Sequence, residues 1–332
     1  MFNIAGFIPG AIQQGIPLLY GCTGEILTEK SGNLNMGIPG IMYVGSISGV
    51  IGAFLYEKSL PDISALNPFL AIMIPLLACL VGSGLMGLLY CFLTVTLRAN
   101  QNVTGLAMTT FGVGLGNYFG GTLIRLVGSN SGETYISVKA TSDLFKASLP
   151  FASKLGWFGT VFLSYGFLTY LAIVIAIAAS LFLNKTRTGL HLRAVGENAA
   201  TADAVGINVT AYKYVATTVG SMIAGMGGLF YVMDYISGSW SNDAFGDRGW
   251  LAVALVIFVI WRPNLGILGS ILFGCLYNLP LYVEGLSLAE KKLFAVIPYV
   301  VTLLVLVLTS IRNKRENQPP AGLGLNYYRE ER

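Results

Sequence analysis

The chain has 332 residues, of which 54% are hydrophobic and only 11% charged, with a net charge of +4. Soluble domains carry about 25% charged residues, so this composition excludes a large soluble domain and places the chain in the membrane class. The small positive charge on so apolar a chain argues against nucleic acid as a partner and is better explained by basic loops between spans.

The four cysteines, Cys22, Cys79, Cys91 and Cys275, lie far apart beside or within apolar runs and form no CxxC pair. They read as buried free thiols rather than a disulfide set or metal site. The single histidine, His191, excludes a multi-histidine metal centre. The first basic residue is Lys30, so the charged start of a cleaved signal is missing and the first apolar segment is expected to stay as a span.

A span needs about 20 mostly apolar residues. The first is expected at Ile8–Ile26, with Gln13 and Gln14 near its middle facing protein rather than lipid. A polar turn follows, then Met36-Gly37-Ile38-Pro39-Gly40, whose three helix breakers predict an irregular entry to the second span, which ends near Tyr56. Irregular backbone at membrane depth is tolerated only where it is buried in protein or lines a cavity. The third span, Phe69–Leu97, is long enough to demand a tilt or a kink at Pro75. The fourth, Asn102–Ile124, opens on Asn102 and Thr104 and carries Gly112, Gly116 and Gly120 at a four-residue period. That is a small-residue stripe for close helix packing; no strand precedes it, as a phosphate-binding glycine loop would require.

Arg125–Phe158 is a polar segment expected outside the membrane, with a short amphipathic helix near Asp143–Leu155. The fifth span is expected at Val161–Leu183. A polar, basic connector, residues 185–212, separates it from a sixth span at Tyr214–Val232. Within the connector, Asn198 is a candidate N-cap and Gly206 a candidate C′ residue of a small helix. A seventh span, about Ala244–Trp261, has an uncharged core of only 13 residues; an eighth runs Leu265–Val283 and a ninth Leu293–Ile311. Residues 312–332 form a basic tail. With the connector in the cytosol, 12 of the 20 Lys and Arg fall on the cytosolic side and 8 on the other, and the short loops favour this orientation.

The fold expected is therefore an all-α membrane protein. It is a polytopic bundle of about nine transmembrane helices with broken or re-entrant segments, a membrane domain over residues 1–311 and a cytosolic tail. The chemistry available is limited. The dipeptide Gly-Lys does not occur, so there is no GxxxxGK[ST] loop for ATP, and neither HExxH nor GxSxG is present. Glu25 and Asp234 are the acids closest to span interiors, each near an end, whereas ion-driven carriers place an ionisable group near the midplane. The interior polar residues are instead amides and hydroxyls, including Asn35, Asn102, Thr104 and Asn117. They suit an uncharged polar solute; the alternative is that they only bond neighbouring helices.

At the connector the sequence resembles a family. Arg193-Ala194-Val195-Gly196-Glu197-Asn198 through Gly206-Ile207-Asn208-Val209 resembles the R-A-x-G-x-N…G-I-x-V loop of ABC-importer permeases that serve simple sugars, branched-chain amino acids and nucleosides. The family's paired alanines here read Thr201-Ala202, after Ala199-Ala200. Thr28 to Met42 is similar to a segment of the nucleoside branch, with Pro39 where a glutamate is usual. Gly246-Asp247-Arg248-Gly249-Trp250 with Arg262-Pro263, and the tail from Pro319 to Arg329, are similar to that branch as well.

The resemblance implies a permease subunit for nucleosides in an ATP-driven importer of the bacterial cytoplasmic membrane, with connector and C-terminus cytosolic. It implies a second related permease subunit, a cytosolic ATPase that holds the ATP and magnesium, and an extracellular substrate-binding lipoprotein. This chain would be no enzyme and would bind no cofactor itself. Gly196, Glu197, Asn198, Ala202, Gly206 and Ile207 would couple to the ATPase through a cytosolic coupling helix. Asn35, Asn102, Thr104 and Asn117 would line the substrate pathway. The alternatives are a permease of the same type for a sugar or branched-chain amino acid, or an ATP-independent facilitator.

Overall fold

The computed structural model describes residues 4–128, 135–148, 156–243, 245–283, 285–312 and 318–328. The elements in chain order are α1 (Ile4–Glu29), α2 (Ile38–Ser59), a 3-10 turn (Ile63–Ala65), α3 (Pro68–Cys91) with a π turn (Phe92–Thr96), α4 (Gln101–Gly128), β1 (Ile136–Ser137), α5 (Lys139–Phe145), α6 (Gly156–Phe162), α7 (Phe167–Lys185), α8 (Arg187–Glu197), α9 (Ala199–Ala204), α10 (Val209–Phe230) with a second π turn (Tyr231–Tyr235), β2 (Ser239–Trp240), α11 (Arg248–Phe258), α12 (Pro263–Tyr282), α13 (Leu288–Phe294) and α14 (Ile297–Arg312). The only sheet among the described residues is the antiparallel pair β1–β2, with Ile136 opposite Trp240.

Six of these stretches are long and apolar enough to cross a bilayer: Ile38–Ser59, Pro68–Thr96, Phe167–Lys185, Val209–Tyr235, Pro263–Tyr282 and Leu288–Leu308. α1 and α4 have the length, at 26 and 28 residues, but a more polar composition. α11 does not have the length: its 11 residues rise roughly 16 Å, about half the hydrocarbon thickness. The expected seventh span is thus a short helix joined to irregular chain. The expected fifth span also starts late, because Leu163 to Gly166 interrupt the helix and α7 begins at Phe167. The helix expected near Asp143–Leu155 is instead α5, displaced toward Lys139; residues 149–155 of that expectation lie outside the described residues.

Local chemistry sets the ends. Asn67 caps α3, its Oδ1 accepting from Phe69 N at 3.0 Å, and Pro68 occupies the first helical turn, where a missing N–H costs nothing. Asn208 caps α10 by accepting from Ala211 N at 3.0 Å.

The centre of the bundle is α1, α2 and α10, held together by glycine faces. Gly24 of α1 and Gly220 of α10 face each other so closely that a Cβ on either would collide with the other's carbonyl oxygen. The glycine stripe on α4 does what its period predicts: Gly112 lies against Gly40, Gly116 against the Tyr43 ring and Gly120 against the Trp240 indole. Apolar side chains point outward on the rim, as at Phe69, Leu77, Leu85, Leu268 and Leu303, which is the pattern expected where lipid replaces water.

The two ends of the bundle are distinct. At one, Gly196 of α8 lies against the Lys30 backbone, and the tail lies beside both. At the other, Glu57 at the far end of α2 accepts from Thr141 N at 2.9 Å, next to the β1–β2 pair. The 22 residues of α2 separate these faces by roughly 33 Å.

Candidate functional site

The connector folds as two helices rather than the single one expected. Thr186 caps α8, its Oγ1 accepting from Gly189 N at 3.0 Å. α8 buries Gly189, Leu192, Val195 and Gly196 and exposes its other side. Asn198 breaks it with an extended backbone and caps α9 as the sequence predicts, Oδ1 accepting from Thr201 N at 2.9 Å. α9 ends as predicted too. Gly206 takes φ +86°, Gly206 N donates to Asp203 O at 3.0 Å and Ile207 N to Ala202 O at 3.0 Å. This is the double bond pattern of a Schellman C-cap, and the left-handed residue it needs is one that glycine supplies without strain.

The six connector residues singled out by sequence divide into two sets. Glu197, Asn198 and Gly206 are exposed and Ile207 is half-buried. Gly196 and Ala202 are buried: Gly196 lies against the Lys30 carbonyl, and Ala202 packs with Val195 and Val209. The face left open is Ala200, Thr201, Ala204 and Val205, with Val205 72% exposed. Sequence reading missed Val205; its i+4 spacing from Thr201 was the available signal.

Below the connector lies the turn between α1 and α2, residues 30–37. Burial pulls the Lys30 ammonium below the ordinary lysine range, and the nearby Glu197 carboxylate works in the opposite direction. Asn33 Nδ2 donates to Thr217 Oγ1 at 3.0 Å. Leu34 N donates to Gln101 Oε1 at 2.7 Å, and the Tyr90 hydroxyl donates to Leu34 O. Asn35 is fully buried: its N–H donates to Glu25 Oε1 at 3.1 Å, and its Oδ1 accepts from Gly37 N at 2.9 Å. Its Nδ2 has no partner among the described residues. The irregular entry to α2 therefore exists, and it is buried in protein, as its position demands.

The four candidate pathway residues do not form one cluster. Thr104 is buried at the start of α4, close to the turn, while Asn102 beside it is exposed. Asn117 stands fifteen residues further along α4, about 22 Å from Asn102. It belongs to a separate group near the far face, accepting from the Tyr43 hydroxyl and donating to Asp243 Oδ1 at 2.9 Å. Among the described residues no group of three or more His, Cys, Asp or Glu could hold a metal ion.

Charge also sits where the sequence did not place it. Arg248, immediately before the uncharged core of the expected seventh span, is 8% exposed. Its guanidinium donates to Gln14 Oε1 at 3.2 and 3.4 Å and to Phe245 O at 2.9 Å, and lies 4.3 Å from the Tyr231 ring and 5.1 Å from that of Tyr277. Gln14 lies near the middle of α1, so its inward-facing amide, as expected, meets protein. Glu29 is buried as well and accepts from the Trp261 indole. Trp261 reaches it from the end of α11, where Ile260 and Trp261 both take positive φ.

A many-helix bundle with six stretches long and apolar enough to cross a bilayer, a glycine-packed centre, a broken entry to its second helix and a two-helix connector at one face define a polytopic helical membrane protein. Residues 9–306 match the family described as branched-chain amino acid transport system / permease component, and the chain belongs to that family. It is similar to the nucleoside ABC transporter permease protein NupC of Lactococcus lactis, 31% identical over 88% of each chain. It is 29% identical over 98% of each chain to TsgC13 of Haloferax volcanii, an ABC transporter permease provisionally named for glucose. The guanosine ABC transporter permease protein NupQ of Bacillus subtilis is 27% identical over 90% of each chain.

Proposed function

We propose that the chain is the transmembrane permease subunit of an ATP-driven nucleoside importer in a bacterial cytoplasmic membrane. The observation that carries this reading is the similarity to NupC and NupQ, two permeases named for nucleosides, along about nine-tenths of the chain. The uncharged polar residues on α4 and in the turn between α1 and α2 fit a neutral, hydrogen-bonding cargo. Asn35, Asn102, Thr104 and Asn117 are its proposed contacts along the route. A sugar cargo is the second reading, and the name of TsgC13 favours it.

The connector is the proposed seat of a separate cytosolic ATPase. Glu197, Asn198, Ala200, Thr201, Ala204 and Val205 form an exposed patch with small side chains that a groove could close over. Gly196, Ala202, Gly206 and Ile207 shape that patch from behind. ATP and magnesium are assigned to the ATPase, and a second related permease and an external binding lipoprotein complete the assembly. We read nine passes, the seventh made by irregular chain in its outer half and α11 in its inner half. This reading puts the connector and the tail on the same, cytosolic, side, in accord with their direct contact.

Binding of nucleosides and sugars to the cognate lipoprotein tests the cargo. Nucleoside binding in the micromolar range or tighter is expected; a lipoprotein that binds glucose and ignores every nucleoside moves the assignment to the sugar reading.

A further inference from the structure

The basic tail lies on the surface, yet it is not free there. Its described part, residues 318–328, is bound to four neighbouring segments. Ala321 N donates to Glu197 Oε2 at 3.4 Å, and Gly322 N donates to Gly196 O at 2.9 Å. Gly324 N donates to Gly32 O at 3.1 Å. The Tyr327 hydroxyl donates to Asp203 Oδ2 at 2.7 Å. Asn326 Nδ2 donates to Arg98 O at 2.7 Å, and the Arg98 guanidinium lies 4.6 Å from the Tyr328 ring. The tail therefore touches both connector helices, the turn between α1 and α2, and the chain entering α4.

One buried side chain joins this strap to the broken entry of α2. Gln101 is 3% exposed. Its Nε2 donates to Asn326 Oδ1 at 3.2 Å, while its Oε1 accepts from Leu34 N at 2.7 Å. Leu34 precedes Asn35, and Gln101 precedes Asn102. The strap thus ends on the backbone of two segments assigned to the pathway. The packing there leaves little slack: a Cβ at Gly105 would lie 2.7 Å from Met36 N, and one at Gly37 would lie 2.8 Å from Asn35 Oδ1.

We propose that the C-terminal strap, through Tyr327, Asn326 and Gln101, is a positioning element that ties the connector to the α1–α2 turn and the start of α4, so that displacement of the connector moves the inner end of the pathway. The proposal rests on the reading of the connector as the ATPase seat. Under it, a shift of α8 and α9 reaches the α1–α2 turn by two hydrogen-bonded routes. One runs from Gly196 through Gly322 and Gly324 to Gly32. The other runs from Asp203 through Tyr327, Asn326 and Gln101 to Leu34. Hydrogen bonds of this kind transmit a bias only if both ends have two arrangements, which the transport cycle proposed above requires of the connector and the turn.

The test uses the full complex, both permeases with ATPase and binding lipoprotein, in proteoliposomes with labelled guanosine and uridine. Three variants are compared with the parent. Tyr327→Phe removes one hydroxyl. Gln101→Glu keeps the acceptor for Leu34 N but removes the donor to Asn326. Asp203→Asn weakens the acceptor of Tyr327 from the connector side. The expected result is an ATP-per-nucleoside ratio raised about tenfold, within the usual span of coupling between sites, with ATPase copurification unchanged. The Tyr327→Phe/Asp203→Asn double variant is expected to be no worse than either single variant.

A parent-like ratio in both Tyr327→Phe and Gln101→Glu overturns the proposal. So does a parallel fall in uptake and hydrolysis with loss of assembled complex, which is what a purely structural tail would give. Glu197→Ala serves as the control for the underlying reading. If it uncouples and the strap variants do not, the strap proposal alone fails; if it too keeps the parent ratio, the connector reading fails.

Discussion

Gly196→Ala places one methyl group where the connector meets the α1–α2 turn. The added Cβ would collide with the Lys30 carbonyl oxygen and lie 3.0 Å from its carbon and 3.2 Å from Gly32 N. Carbon atoms prefer 3.5–4.0 Å, so α8 must retreat roughly 0.5–1 Å. The turn cannot yield easily, because Lys30 N and Gly32 N are already bonded to Ile26 O and Glu29 O, each at 2.9 Å. Retreat of α8 also strains the 2.9 Å bond from Gly322 N to Gly196 O. Overpacking of this kind costs about 1–3 kcal/mol, a factor of roughly 5 to 150 in a local opening equilibrium. Amide hydrogen exchange of the purified protein measures it directly. Residues 192–198 and 320–324 are expected to exchange faster by that factor, while the α2 amides Val44–Val50 keep their protection. Unchanged exchange at residues 192–198 would refute the claim that the connector is seated on the turn through Gly196.

Asn198→Ala removes the cap of α9 and is expected to cost about 1 kcal/mol, whereas Asn198→Asp is expected to retain most of it; limited proteolysis within residues 198–206 reads the difference. Arg248→Ala leaves Gln14 Oε1 and Phe245 O without their donor and is expected to destabilise the bundle by about 1–3 kcal/mol. Arg248→Lys should recover little, since lysine lacks the planar fork that bonds and stacks together; thermal aggregation in detergent checks both. Asn102→Leu is expected to lower nucleoside uptake at unchanged ATPase copurification, and parent-like uptake would return Asn102 to an exposed helix-end residue with no part in transport.

Much of the fold was legible because its signals are local. Runs of apolar residues marked the spans, Asn198 and Gly206 marked the ends of α9, and the period of Gly112, Gly116 and Gly120 marked a packing face. What was not legible depends on partners far away in sequence. The tail reads as a surface coil because its own residues bury little, and its order comes from bonds to Gly32, Gly196, Glu197 and Asp203. The burial of Arg248 does not show because nothing beside it announces Gln14, Tyr231 and Tyr277. α11 reads as a span because its apolar run continues to Trp261, but the positive φ at Ile260 and Trp261 ends the helix early. Ala202 reads as a surface alanine because small size suits either a partner's groove or the chain's own core, and in the structure it serves the core.

These differences sharpen the site. The connector surface available to a partner is the Glu197–Val205 edge, not the alanine pattern as a whole. The proposed pathway residues split into Asn35, Asn102 and Thr104 near the connector and Asn117 near the far face, where it bonds Tyr43 and Asp243.

The most direct measurement of the central claim is nucleoside uptake into proteoliposomes holding either this chain alone or the full complex with ATPase, ATP and binding lipoprotein. The account predicts uptake only in the full complex, abolished when ATP is replaced by a non-hydrolysable analogue. Nucleoside flux through the chain alone, at a rate that ATP does not change, would contradict it.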